Sequence, residues 1–108
     1  MGLITSTIRM MYLTSYKLDL EFKIQLITQA KMGLSDSVDD LLNVGADMDP
    51  ESPTVKQLEQ RREKLHLLEK KLDMQMQRYQ TKLSMVEAEL NSCKQLVNQS
   101  AQSSFSYR

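Results

Sequence analysis

The side chains best equipped for chemistry in this sequence are few: a single histidine, His66, a single cysteine, Cys93, and an adjacent carboxylate pair, Asp39 and Asp40. An imidazole does acid–base or metal work when other groups are held against it. His66 lies in the charged stretch "RREKLHLLEKK" with no His, Cys or carboxylate at a recognised ligand spacing, so it reads as a solvated or interface side chain. A lone cysteine excludes an intramolecular disulfide and a cysteine-based zinc cage, and Cys93 falls where a core residue is expected. Neighbouring residues on a helix diverge, which separates Asp39 from Asp40. No Ser/His/Asp or Cys/His arrangement and no glycine-rich phosphate loop is present. The expectation is a protein that is not an enzyme and has no cofactor or metal.

With chemistry set aside, composition points to packing. The 108 residues are 41% hydrophobic and 26% charged, which is ordinary for one folded domain and unlike a disordered tail. Three Gly, two Pro, no Trp and eight Met describe a chain poor in turns and rich in straight side chains that lose little freedom in a helix. An all-α protein is predicted. Fourteen basic and fourteen acidic residues cancel, so no overall field draws the chain to nucleic acid or an anionic membrane. The balance hides an asymmetry: residues 1–51 carry four Lys/Arg against eight Asp/Glu, and residues 52–108 carry ten against six. The stretch from Lys56 to Lys82 holds eight Lys/Arg but also four interleaved acids and one aromatic, Tyr79, at a core position, which suits a solvated coiled-coil surface better than a nucleic-acid site.

The apolar spacing from Thr54 onward is a heptad. Val55, Met76, Leu83, Leu90 and Val97 share one core position, with Arg62 and Glu69 as polar members; Leu58, Leu65, Leu72, Tyr79, Val86 and Cys93 share the other. Six heptads free of Gly and Pro predict a long helix, about 54–98, packed in a coiled-coil seam. A second seven-residue repeat, Leu13, Leu20, Ile27, Leu34 and Leu41, reinforced by Tyr16, Ile24 and Val38, predicts a first helix over about 3–44. Both prolines lie between the repeats, in "ADMDPESPTVKQLEQ". Gly45 suits the left-handed position past a helix end, Asp47 and Asp49 favour turns, and Pro50 and Pro53 each remove an amide donor, giving a turn over about 45–53. Ser52 ahead of Pro53 is one candidate cap for the second helix, and Thr54 with Gln57 is the competing capping box. Either start gives an antiparallel helical hairpin. Folding back brings Asp36, Asp39 and Asp40 toward Lys56, Arg61, Arg62 and Lys64, which favours this register.

The first helix has apolar residues to spare. Ile4, Ile8, Met11, Leu18, Phe22 and Leu26 form a separate stripe at 100° per residue, and one partner helix covers only one face. Contiguous apolar surface of this kind marks an interface. The hairpin is therefore expected to be completed by oligomerisation, with that stripe as the intersubunit face. The tail 99–108 carries little apolar surface until Phe105 and Tyr107; it is either a frayed end or an anchor in a neighbouring chain. Met10, Met11, Met32, Met74, Met76 and Met85 either fill core gaps or form an adaptable surface.

"MDPESPTVKQLEQ", preceded by "DDLLNV", carries a resemblance. A short chain with a helix, a P-x-x-P turn in an acidic and polar setting, and a longer second helix resembles the needle subunits of type III secretion systems, with Pro50 and Pro53 at the paired prolines. Flagellar rod and hook proteins share the use of terminal helices that become ordered in a polymer. "RMMYLTSYKLDLEFKIQLITQAKM" is similar to the opening of short uncharacterised bacterial proteins. The resemblance implies signal-peptide-independent export, polymerisation into an extracellular or cell-surface filament around a polar conduit, and a cytosolic export chaperone that covers the apolar face beforehand.

Two other classes stand beside a filament subunit. A cytosolic coiled-coil adaptor or export chaperone would bury the second face in a dimeric four-helix bundle. An N-myristoylated peripheral membrane protein is the other, since "MGLITS" satisfies the pattern for acylation at Gly2. Arg9 interrupts the apolar start and no basic cluster precedes it, so a cleaved secretory signal is not expected, and no run of 18 apolar residues predicts a membrane span.

Overall fold

The computed structural model describes residues 2–46 and 48–106, with side chains up to Ser103. Two helices make up the fold, α1 (Leu3–Gly45, 43 residues) and α2 (Pro53–Ser106, 54 residues). The chain is an all-α helical hairpin with no strand among the described residues. Helix α1 contains no proline, and three of its hydroxyls bond back to the preceding turn. Thr7 Oγ1 donates to the Leu3 carbonyl at 2.7 Å, Thr14 Oγ1 to Met10 at 2.8 Å and Ser37 Oγ to Gly33 at 3.0 Å, so these residues do not interrupt the helix. Gly33 is the exception to good helix-forming composition: nothing lies within 4 Å of the point its Cβ would occupy. Gly33→Ala is expected to stabilise the chain by about 0.5–1 kcal/mol by restricting the unfolded state, read as a rise in the melting temperature.

The turn settles which cap starts α2. The Val55 N–H donates to Ser52 Oγ at 3.2 Å and the Lys56 N–H to the Ser52 carbonyl at 3.3 Å, so Ser52 is the cap and Pro53 the first helical residue. Just before it, the Glu51 N–H donates to Asp49 Oδ1 at 3.1 Å and the Ser52 N–H to the Asp49 carbonyl at 3.0 Å. Asp49 thus forms the Asx turn that delivers Ser52 to its place. Ser52→Ala is expected to cost about 0.5–2 kcal/mol in a denaturant titration. Gly45 departs from expectation. It closes α1 as a helical residue, and no described residue has a positive φ, so a left-handed glycine does not end the helix. The stop comes from 3.3–3.4 Å turn bonds, Ala46 N–H to the Asn43 carbonyl and Met48 N–H to the Gly45 carbonyl, ahead of Pro50.

The chain divides into two compact units, residues 1–24 with 78–108, and residues 25–77. In the first, Leu13, Leu20, Val86, Leu90 and Cys93 form the buried core, with Met10, Tyr16, Tyr79 and Leu83 packed against it. The Arg9–Glu89 ion pair at 3.2 Å and the Lys17–Glu87 pair at 3.9 Å join the helices in antiparallel order. In the second unit Ile27, Val38 and Val55 are buried, while Leu34, Leu41, Leu58, Leu65 and Leu72 are half-buried. Lys31 pairs with Asp73 there. The cross-helix pairs expected near the turn do not form: among the described residues no ion pair joins Asp36, Asp39 or Asp40 to Lys56, Arg61, Arg62 or Lys64. All seven side chains are exposed, away from the seam. Exposed pairs contribute only about 0–1 kcal/mol, too little to draw these side chains together.

The second helix also runs past the expected end at residue 98, to Ser106. "NQSAQSSFS" lacks apolar content but contains no Gly or Pro, and extending an existing helix is far easier than starting one. Val97, Ser100 and Ala101 are half-buried, which ties this stretch down.

Candidate functional site

Every side chain assigned to the intramolecular seam is buried or half-buried. Leu13, Leu20, Ile27, Val86 and Leu90 are buried, and Leu34, Leu41, Leu58, Leu65, Leu72, Tyr79 and Leu83 are partly so. The stripe residues are the reverse. Ile4 is 77% exposed, Phe22 58%, and Ile8, Met11, Leu18 and Leu26 are exposed as well. At about 100° per residue Ile4 and Phe22 point some 160–180° away from Leu13 and Leu20. The stripe therefore forms an exposed ridge along the back of α1. From Ile4 to Phe22 the ridge carries Ser15 but no charge on its crest; Leu26 follows in the second unit. The Phe105 side chain and Tyr107, the expected tail anchors, lie outside what the structure describes.

The sequence repeat on α2 gave no sign of a second exposed apolar surface, which the structure shows in the first unit. Tyr12, Tyr16, Lys82, Met85 and Glu89 line a groove of 330 Å³ floored by Leu13 and Val86. Tyr12 and Tyr16 stack with ring centroids 6.5 Å apart and planes 6° from parallel. Glu89 also lines a second groove, 300 Å³, with Ser6, Arg9, Ser92, Cys93 and Leu96. The two grooves make one trough crossed by the Arg9–Glu89 ion pair. Tyr12, Met85 and Leu96 stand exposed along it. The charges at its rim are already engaged: Glu89 accepts from Arg9, and the Lys82 ammonium sits 6.0 Å from the Tyr79 ring centroid. Lys23 reaches the same ring at 5.7 Å, and its hydrogen bond to Asp19 holds its pKa above the usual lysine value. Across α2, roughly opposite Met85 and Leu96, the other flank is polar, with Lys17, Glu87, Asn91 and Lys94 around a 250 Å³ groove.

Ser6 is 4% exposed and is a core-facing residue that hydrophobic patterning missed. The signal was present, since Ser6 sits one heptad before Leu13; its hydroxyl concealed it. The trough was harder to find because its residues come from both helices, and only packing assembles them.

His66, Cys93, Asp39 and Asp40 stand apart from one another. His66 is exposed, with Nδ1 3.7 Å from Glu69 Oε2 one turn along the same helix. Cys93 is buried in the core, and Asp39 and Asp40 are exposed. Among the described residues no three His, Cys, Asp or Glu side chains are arranged to hold a metal, and no helix is long and apolar enough to cross a membrane.

In comparison with known proteins, no family model matches the chain, and no curated protein or solved structure matches it.

Proposed function

We propose that this chain is a structural subunit that self-assembles into a helical filament or needle-like polymer, using the ridge on the back of α1 as its main contact. The observation that carries this reading is the ridge itself: Ile4, Ile8, Met11, Leu18, Phe22 and Leu26 stand exposed in one line on the face turned away from α2. Burying each would contribute about 1.5–3 kcal/mol. The P-x-x-P turn and two-helix layout, which resemble type III needle subunits, make export to the cell surface part of the proposal, with a chaperone covering the ridge beforehand.

Sedimentation velocity across a wide concentration series, paired with negative-stain microscopy at the top of it, tests the reading. Large assemblies that grow with concentration are expected. A monomer at every concentration sinks it, and a species that stops at a dimer replaces it with the adaptor class.

A further inference from the structure

Chain ends are ordinarily the first part of a fold to open. In this chain the unit that holds the ends carries the core. We infer that the stretch around the turn, Gln25–Gln77, opens and recloses as a unit of its own, while the helices stay paired through Leu13, Leu20, Val86, Leu90 and Cys93. The inference goes beyond the self-assembly reading and does not depend on it.

The placement of buried side chains is the first reason. Five of them, drawn from both helices, form one cluster in the unit that holds the termini, and Met10, Tyr16, Tyr79 and Leu83 pack around it. In Gln25–Gln77 the buried side chains are Ile27, Val38 and Val55, and none joins that cluster. The seam leucines Leu34, Leu41, Leu58, Leu65 and Leu72 are only half-buried there. Local opening costs what the opened stretch had buried, so this unit opens at the smaller cost.

The seam of α2 is the second reason. Tyr79, Leu83, Val86, Leu90, Cys93 and Val97 keep it apolar toward the carboxyl end, whereas Arg62 and Glu69 hold core positions of the heptad nearer the turn. Polar residues at such positions cost a helix pair stability. Arg62 is exposed and Glu69 half-buried, so neither gives up much contact when the helices part. The Lys31–Asp73 pair that joins α1 to α2 in this unit is partly exposed, and pairs of that kind contribute little.

The backbone adds a third. Gly33 lies within α1 in this unit, with nothing inside 4 Å of the point its Cβ would occupy. A mid-helix glycine regains more conformational freedom on opening than any other residue. Opening presents Leu34, Leu41, Leu58 and Leu65 to solvent while the ends stay folded, which makes the turn the adaptable end of the hairpin.

Amide hydrogen exchange of the full chain, resolved by residue in dilute solution, tests this. Corrected for intrinsic rates, the amides of residues 34–44 and 58–72 are expected to exchange on the order of 100-fold faster than those of residues 13–20 and 86–93. Val55 and Val86, 8% and 7% exposed, allow a matched pair of mild substitutions, one in each unit. Val86→Ala should speed exchange of residues 13–20 and 86–93 about tenfold and leave the stretch around the turn at the parent rate, because Val86 stays packed in the smaller opening. Val55→Ala should speed both sets about tenfold, because global opening includes the smaller one. Circular dichroism of both variants checks that the helices are retained. If the two variants speed every amide by the same factor, the hairpin opens as one unit and the inference fails. It fails equally if the amides around the turn are the slower set, since the order of opening is then reversed.

Discussion

Phe22→Glu is expected to leave the hairpin folded and to abolish the association between copies proposed above. The two effects separate because of where Phe22 stands. Its ring is 58% exposed within the chain and points away from Leu20, the most buried side chain of the core. Replacing it therefore removes little that holds α1 to α2, and the single chain's stability should change by no more than about 0.5 kcal/mol, as for other surface positions. In the proposed contact between copies the position carries far more. The contact loses the burial of a phenyl ring, about 1.5–3 kcal/mol, and must accommodate a carboxylate whose desolvation costs several kcal/mol more. Sedimentation of the variant should show a monomer at concentrations where the parent is assembled, with helical circular dichroism unchanged. A variant as associated as the parent would show that the ridge is not the contact.

Leu20→Ala should do the opposite, damaging the fold directly. Leu20 is 1% exposed and belongs to the small cluster with Leu13, Val86, Leu90 and Cys93. Two helices side by side make a core one side chain deep, so no second layer relaxes into the space an alanine leaves. Substitutions of this kind cost about 2–5 kcal/mol, rising with the volume of the residual cavity. Against a total of about 5–15 kcal/mol for a domain, that is a large share of the stability. The measurement belongs in the Phe22→Glu background, because association adds a concentration-dependent term to apparent stability. A urea midpoint that moves by less than the equivalent of about 1 kcal/mol would mean that Leu20 is less tightly packed than its burial implies.

Set against the structure, the seam was legible because a coiled-coil face is written in period seven, and a single helix must place those residues on one side whatever surrounds it. The ridge was legible for the same reason: its six residues fall on one line of α1. Ser52 and Pro53 were recognisable as one of two possible starts, and the hydrogen bond from the Val55 N–H chose between them. The end of α2 was misjudged. Low apolar content in "NQSAQSSFS" suggested fraying, whereas helix continuation needs only the absence of a breaker and a few half-buried contacts such as Val97 and Ala101. The salt bridges expected near the turn failed for a related reason, since opposite charges close in sequence order need not face each other on two helices.

Periodicity and punctuation by themselves determined two long helices, their antiparallel return and an apolar face on α1 that stays exposed among the described residues. These properties depend on backbone geometry that is the same in every helix, so they can be computed from spacing alone. The tertiary structure decided the rest. It buried Ser6, paired Arg9 with Glu89, and brought Tyr12 and Tyr16 beside Met85 to make a trough with one apolar flank and one polar flank opposite it. A groove between helices depends on their rotation and register, which the packing of both chains of side chains sets together and neither repeat specifies alone.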